Sequence, residues 1–199
     1  MATSRAVRIG IFVFDDAEEL DVAGPYEVLT AWALKSPLRP EVVLFSAEGS
    51  GVRLAKGMRL LPDTSLEELG PLHVLVYPGG HGTRRLLLDS EHLEWLHEMR
   101  ATTPLMTSVC TGALVFAAAG LLAGRPATTH FSAFDELAEI DPSILLDTEA
   151  RFVDDGDVVT SAGVSAGIDM ALHLVARLES ADAARAVRRE IQYKPGPPL

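Results

Sequence analysis

The chain contains a single cysteine, Cys110, among its 199 residues. One thiol cannot form an intramolecular disulfide or a cysteine-based zinc cage, and its isolation fits a reducing, cytoplasmic compartment. Cations are also scarce. Lys and Arg number 17 against 28 Asp and Glu, a formal net charge of −11, with no long basic run. Nucleic-acid affinity comes mainly from Lys and Arg neutralising phosphates, so no nucleic-acid partner is expected. Apolar runs are short: none reaches the ~18–20 residues that cross a bilayer. Met1–Arg5, followed by a brief apolar stretch ending at Asp15 and Asp16, does not read as a signal peptide, so no membrane association is expected. With 16 Gly and 12 Pro the chain is not collagen-like or of low complexity, and 48% hydrophobic residues are too many for a disordered one. What is present is enough apolar surface for one sizeable core.

Five short apolar runs bounded by turn residues read as strands: Val7–Phe14, Glu41–Ser46, His73–Tyr77, Leu105–Val109 and Val158–Ser161. Val7–Phe14 is continuous rather than alternating, the pattern of a strand covered on both faces in a parallel sheet. Helical spacing fills much of the chain between them. Ala17–Leu34 is periodic around Leu20, Val28 and Leu29, but Gly24-Pro25 interrupts it. Proline suits a first turn, so that helix is expected to start near Pro25. Ser90–Arg100, Thr111–Leu122, Ser165–Leu178 and Ala181–Gln192 read as further helices. Gly57 within Val52–Leu61, and Asp154-Asp155-Gly156-Asp157 within Leu145–Val159, suggest two hairpins. A tail running from Pro195 to Pro198 is too rich in proline for regular structure. Strands alternating with helices specify one three-layer α/β domain over residues 1–199 with a mostly parallel sheet.

In such a sheet ligands bind beyond the carboxyl ends of the strands. Three strand-to-helix junctions carry unusual residues there. After Leu105–Val109 come Cys110, Thr111, Gly112 and Ala113, the pattern of a nucleophile elbow with a thiol in place of a hydroxyl. The following helix N-terminus is expected to favour thiolate over thiol. The pattern alone leaves open the other reading, Cys110 as a small buried hydrophobe. After His73–Tyr77 come Pro78, Gly79 and Gly80, a turn able to aim backbone amides at a reacting centre, or simply a glycine-rich turn. Past the first strand, Glu18, Glu19 and Asp21 lie close together. They read either as a solvated acidic loop or, for Asp21 between Leu20 and Val22, as an inward carboxyl whose pKa burial would raise. His130 is a candidate base for Cys110, although a lone His at a strand end is more often structural. The other histidines, His73, His81, His92, His97 and His173, show no ligand spacing, so no metal is expected.

These motifs resemble those of the DJ-1/PfpI superfamily. The similarity runs through Ser108–Val115, Ala118–Leu122, Ala127–His130, Leu20-Asp21 with Gly24-Pro25, Pro78–Gly80, Ala166–Asp169 and Tyr193–Pro198, nearly the whole chain. The cysteine elbow and Pro-Gly-Gly turn carry the superfamily. Leu20-Asp21 and Cys110-Thr111 resemble its isonitrile-hydrating branch, whereas related proteases, glyoxalases and class I glutamine amidotransferases usually place His after the cysteine or Glu in the first loop. The resemblance implies a flavodoxin-like fold, a cytoplasmic homodimer, and hydration of a small-molecule isonitrile to an N-substituted formamide without metal or organic cofactor. Carried over by position, Cys110 is the nucleophile, Asp21 its acid/base partner and Thr111 an elbow residue tuning the site. The amides of Gly80 and Thr111 serve as backbone donors, with Gly79 and His130 in the surrounding layer. The implied steps are attack of the thiolate on the terminal carbon, a proton on nitrogen, and opening of the thioimidate by water. Glu18-Glu19 departs from the family pattern. Three other readings stay in play: a ligand sensor like the N-terminal halves of AraC-type regulators, though no helix-turn-helix module follows Gln192; a stress protein whose cysteine is oxidised to sulfinic acid; and a glyoxalase.

Overall fold

The computed structural model describes residues 7–195, so Met1–Arg5 and the tail beyond Pro195 lie outside the described residues. Seven strands form one sheet in the order β10-β11-β7-β6-β1-β2-β5. They are β1 (Arg8–Phe12), β2 (Glu41–Ser46), β5 (Thr64–Ser65), β6 (Val74–Tyr77), β7 (Leu105–Val109), β10 (Phe152–Asp154) and β11 (Val158–Ser161). Every neighbouring pair is parallel except β10 and β11, which form an antiparallel hairpin. The apolar runs take the central places because helices cover both faces of the sheet there. Ile9, Ile11, Val74, Leu75, Val76, Met106 and Val109 are fully buried, each stabilising the fold by about 1.5–3 kcal/mol relative to exposure.

Helices α1 (Glu19–Ala33), α6 (Ala166–Leu178) and α7 (Ala181–Glu190) pack together, while α4 (Gly112–Ala118) packs with α2 (Thr83–Leu86), α3 (Ser90–Thr102) and α5 (Phe134–Ile140). From β1 the chain runs outward through β2 to β5, then returns to β6 on the other side of β1 and continues to β7 and β11. Such a reversal of strand order opens a crevice at the carboxyl ends of β1 and β6.

Several expectations need correction. Helix α1 begins at Glu19 and contains Pro25, rather than starting near Pro25. The proline removes only the bond that its amide would have made to the Asp21 carbonyl in the opening turns, and Gly24 brings that segment close against Ile168 of α6. Helix α4 stops at Ala118 because Gly120 and Gly124 take positive φ beyond it. Val52–Leu61 does form a hairpin, with β3 (Val52–Arg53) antiparallel to β4 (Arg59–Leu60). The later hairpin is narrower than expected, confined to β10 and β11. Leu145 and Leu146 instead form β9, paired in parallel with β8 (Pro126–Ala127) through Leu145 N–H to Arg125 O at 2.9 Å and Asp147 N–H to Ala127 O at 2.8 Å.

Candidate active site

Three junctions meet at the crevice. Cys110 stands directly after β7 with φ +56°, in the left-handed region that a side chain occupies only at a cost of about 1–2 kcal/mol. Neighbouring bonds hold it there. Its amide donates to Ser161 O at 3.0 Å, and its carbonyl accepts from the buried Thr129 hydroxyl at 2.8 Å. Gly112 completes the elbow by letting α4 approach the β6 junction, since a Cβ there would lie 2.6 Å from Tyr77 O and 2.9 Å from Pro78 O.

Asp21 lies on the first turn of α1, not in a loop, and is fully buried. Its Oδ2 accepts from Gly79 N–H at 2.9 Å, while Oδ1 has no nitrogen or oxygen partner among the described residues. The carboxyl lies against the Cys110 thiol. Burial raises the Asp21 pKa to about 7, with the Glu18 charge adding to the rise and the Gly79 amide and Cys110 thiol opposing it. Burial, then the Asp21 charge, pushes the Cys110 thiol up to about 12, against the pull of the Thr111 and Val164 amides and the Thr111 hydroxyl. This corrects the expectation of a resting thiolate: the short α4 does not offset desolvation beside a carboxylate. Around neutral pH the pair therefore keeps the thiol proton on sulfur while Asp21 is about half ionised.

The glycine turn binds these groups together. A Cβ on Gly79 would lie 2.5 Å from Thr111 N and 2.9 Å from the Cys110 Cβ, so only glycine fits between elbow and acid. Gly80 N–H donates to Thr111 Oγ1 at 2.9 Å, and Thr83 Oγ1 donates to Gly80 O at 2.7 Å. That corrects the allocation of backbone donors. The Gly79 amide is spent on Asp21 and the Gly80 amide on Thr111, leaving the amides of Thr111 and Val164 as the ones that favour a charged Cys110.

Val164, in the β11–α6 turn, escaped the sequence reading because a β-branched residue at φ +50° carries no local signal. His130 is not brought into hydrogen-bond contact with Cys110 among the described residues; its Nδ1 lies 2.8 Å from Ser132 Oγ, and its ring packs over Gly163. A second pair, the buried Tyr77 Oη and the half-buried His92 Nε2 at 2.7 Å, sits on the β6–α3 side among Phe12, Phe14, Phe116 and Trp95. The described residues contain no group of three or more His, Cys, Asp or Glu placed to hold a metal, and no helix among them is long and apolar enough to cross a membrane.

Against known proteins, the DJ-1/PfpI family pattern matches residues 7–177. An isonitrile hydratase of Pseudomonas putida is 37% identical over 194 residues, 98% of this chain and 82% of that one. A helix-turn-helix transcriptional regulator of Pseudomonas aeruginosa is 34% identical over 67% of this chain, which matches 39% of the regulator's length. Among solved structures, a ThiJ/PfpI family protein from Pseudomonas syringae superposes with a TM-score of 0.87 at 31% identity, covering 98% of this chain and 78% of the other.

Proposed function

The chain belongs to the DJ-1/PfpI family, and from that premise we propose that it hydrates an isonitrile to the N-substituted formamide, with Cys110 as nucleophile and Asp21 as proton carrier. The observation that carries this reading is the buried Asp21 carboxyl against the Cys110 thiol, its pKa raised to about 7. The similarity to an isonitrile hydratase over nearly the whole chain points to the substrate class.

Ionised Asp21 takes the thiol proton as sulfur attacks the terminal isonitrile carbon, and returns that proton to the same carbon. The proton goes to carbon and not, as the resemblance implied, to nitrogen, because the lone pair of the adduct anion lies on carbon. The product is a thioimidate, R–N=CH–S–Cys. Asp21 then takes a proton from the attacking water and passes it to nitrogen, giving R–NH–CH(OH)–S–Cys. The C–S bond breaks as the hydroxyl proton returns to sulfur, releasing R–NH–CHO and the original thiol. Developing charge on sulfur is met by the Thr111 amide and hydroxyl and the Val164 amide, with no metal or organic cofactor in the scheme.

Incubation with cyclohexyl isonitrile tests the reading, with formamide followed by chromatography and the Cys110 adduct by mass spectrometry after acid quench. Formamide together with an adduct of one isonitrile mass is expected. Absence of both would overturn the proposal, and turnover of methylglyoxal instead would replace it with a glyoxalase. The active species is read as a homodimer, for which light scattering should give twice the 21.3 kDa chain mass.

A further inference from the structure

We propose that Lys56, at the tip of the β3–β4 hairpin, is a positioning residue for Asp21, offsetting part of the negative charge of Glu18 and Glu19 so that the third carboxyl beside them can ionise at working pH. This rests on the reading of Asp21 as the proton carrier, but not on the identity of the substrate.

The tip is fixed on the start of α1. Ala55 N–H donates to Ala17 O at 2.9 Å, Lys56 N–H donates to Glu19 Oε1 at 2.6 Å, and Leu54 N–H closes the turn on Met58 O at 2.8 Å. The Lys56 ammonium pairs with Glu18 and stands 3.7 Å from Glu19 Oε2. Both carboxylates are largely covered, with side chains 17% and 13% exposed, whereas Lys56 is 67% exposed. Two charges withdrawn from water are therefore compensated by one cation that reaches them from solvent. Glu18 is also tied to the acid through the main chain. Its amide donates to Gly79 O at 2.9 Å, and the amide of that same glycine donates to Asp21.

The charges acting on Asp21 are thus Glu18 at its own helix start, Lys56 on the hairpin, and the Cys110 thiol from β7. On the other helices packed on α1, Asp169 pairs with Arg151, His173 and Arg177 with Asp154, Glu179 with Trp32 and Ser36, Asp182 with Arg185, Arg188 with Tyr193 O and Glu190 with Lys35, and none of these charges acts on Asp21 as strongly as Glu18. Removing the cation leaves three crowded carboxyls, and the least hydrated, Asp21, must retain its proton to higher pH.

Asp21 can be read directly in protein carrying carboxyl-13C aspartate, its resonance assigned by loss in Asp21→Asn. Lys56→Met is expected to move the Asp21 midpoint up by about 0.5–1 pH unit and Glu18→Gln to move it down by a similar amount. Lys56→Arg should restore the native value, and the double variant Glu18→Gln/Lys56→Met should return close to it. If isonitrile turnover exists, the acid limb of its kcat/KM profile moves with each midpoint. Midpoints unmoved in both single variants, with native circular dichroism, would overturn the inference. Moved midpoints without turnover would leave it standing and remove only the proposed substrate.

Discussion

Two largely covered pairs of ionisable groups flank the Pro78-Gly79 turn, and they come to opposite ends. Tyr77 and His92 share a hydrogen bond of 2.7 Å in an aromatic cluster. Burial raises the tyrosine well above its usual range and lowers the histidine to about 4, so both are neutral across the useful pH range and satisfy each other. Asp21 and Cys110 are both acids, and burial raises both. At pH 7 Asp21 is about half ionised while Cys110 keeps its proton, and Asp21 Oδ1 lacks a nitrogen or oxygen partner among the described residues. Burial alone makes neither pair reactive. What differs is that a phenol and an imidazole can discard charge together, whereas two acids of unequal strength leave one charge and one mobile proton.

The largest effect expected on this comparison comes from Cys110→Ala, which should abolish formamide formation and the adduct while leaving the melting temperature near native. Asp21→Asn should lower kcat by about 10²–10⁴-fold, the range for a displaced general acid/base. In the native protein kcat/KM should climb about tenfold per pH unit below neutrality and level off above pH 7, as Asp21 must be ionised to accept the thiol proton. A flat profile from pH 5 to 9 would detach Asp21 from the chemistry. The same group leaves a mark on stability. Its folded pKa lies above the unfolded value, so the native state holds the extra proton and loses stability as pH rises from about 4 through 7. Denaturant titration should therefore find Asp21→Asn more stable than the native chain at pH 8, by up to about 4 kcal/mol, the gap closing below pH 4.

The inert pair predicts the reverse division. Tyr77→Phe should cost about 1–3 kcal/mol of stability by stranding the His92 ring nitrogen, with kcat/KM within about twofold of native. At the reactive pair, the smallest loss of rate comes from Thr111→Val, which removes the acceptor for Gly80 N–H. It should lower kcat about five- to tenfold, the worth of one hydrogen bond near the sulfur.

Much of this was legible in the sequence, and the failures have causes. The strands were readable because a sheet covered on both faces needs continuous apolar runs, and Val74–Tyr77 and Leu105–Val109 are buried at every position. Elbow, glycine turn and acid were readable because strand ends are where side chains escape the sheet. The start of α1 was misjudged because local proline chemistry was weighed without the contacts holding Glu19 and Asp21. The charge state of Cys110 was misjudged for a similar reason: a helix N-terminus is visible in sequence, but a carboxylate packed from 89 positions away is not. His130 shows the converse, a residue of catalytic type whose Nδ1 pairs with its neighbour Ser132 rather than with Cys110.

The crowding at Gly79 also bears on how the protein can change. A single methyl group there would collide with the Thr111 amide and the Cys110 side chain, and one on Gly112 would strike two carbonyl oxygens. Random substitution at these points should register as loss of folding long before it registers as altered chemistry. Variants that keep the fold and alter the chemistry should therefore emerge from libraries at the hairpin tip and the β11–α6 turn, where side chains rather than a glycine backbone make the contacts.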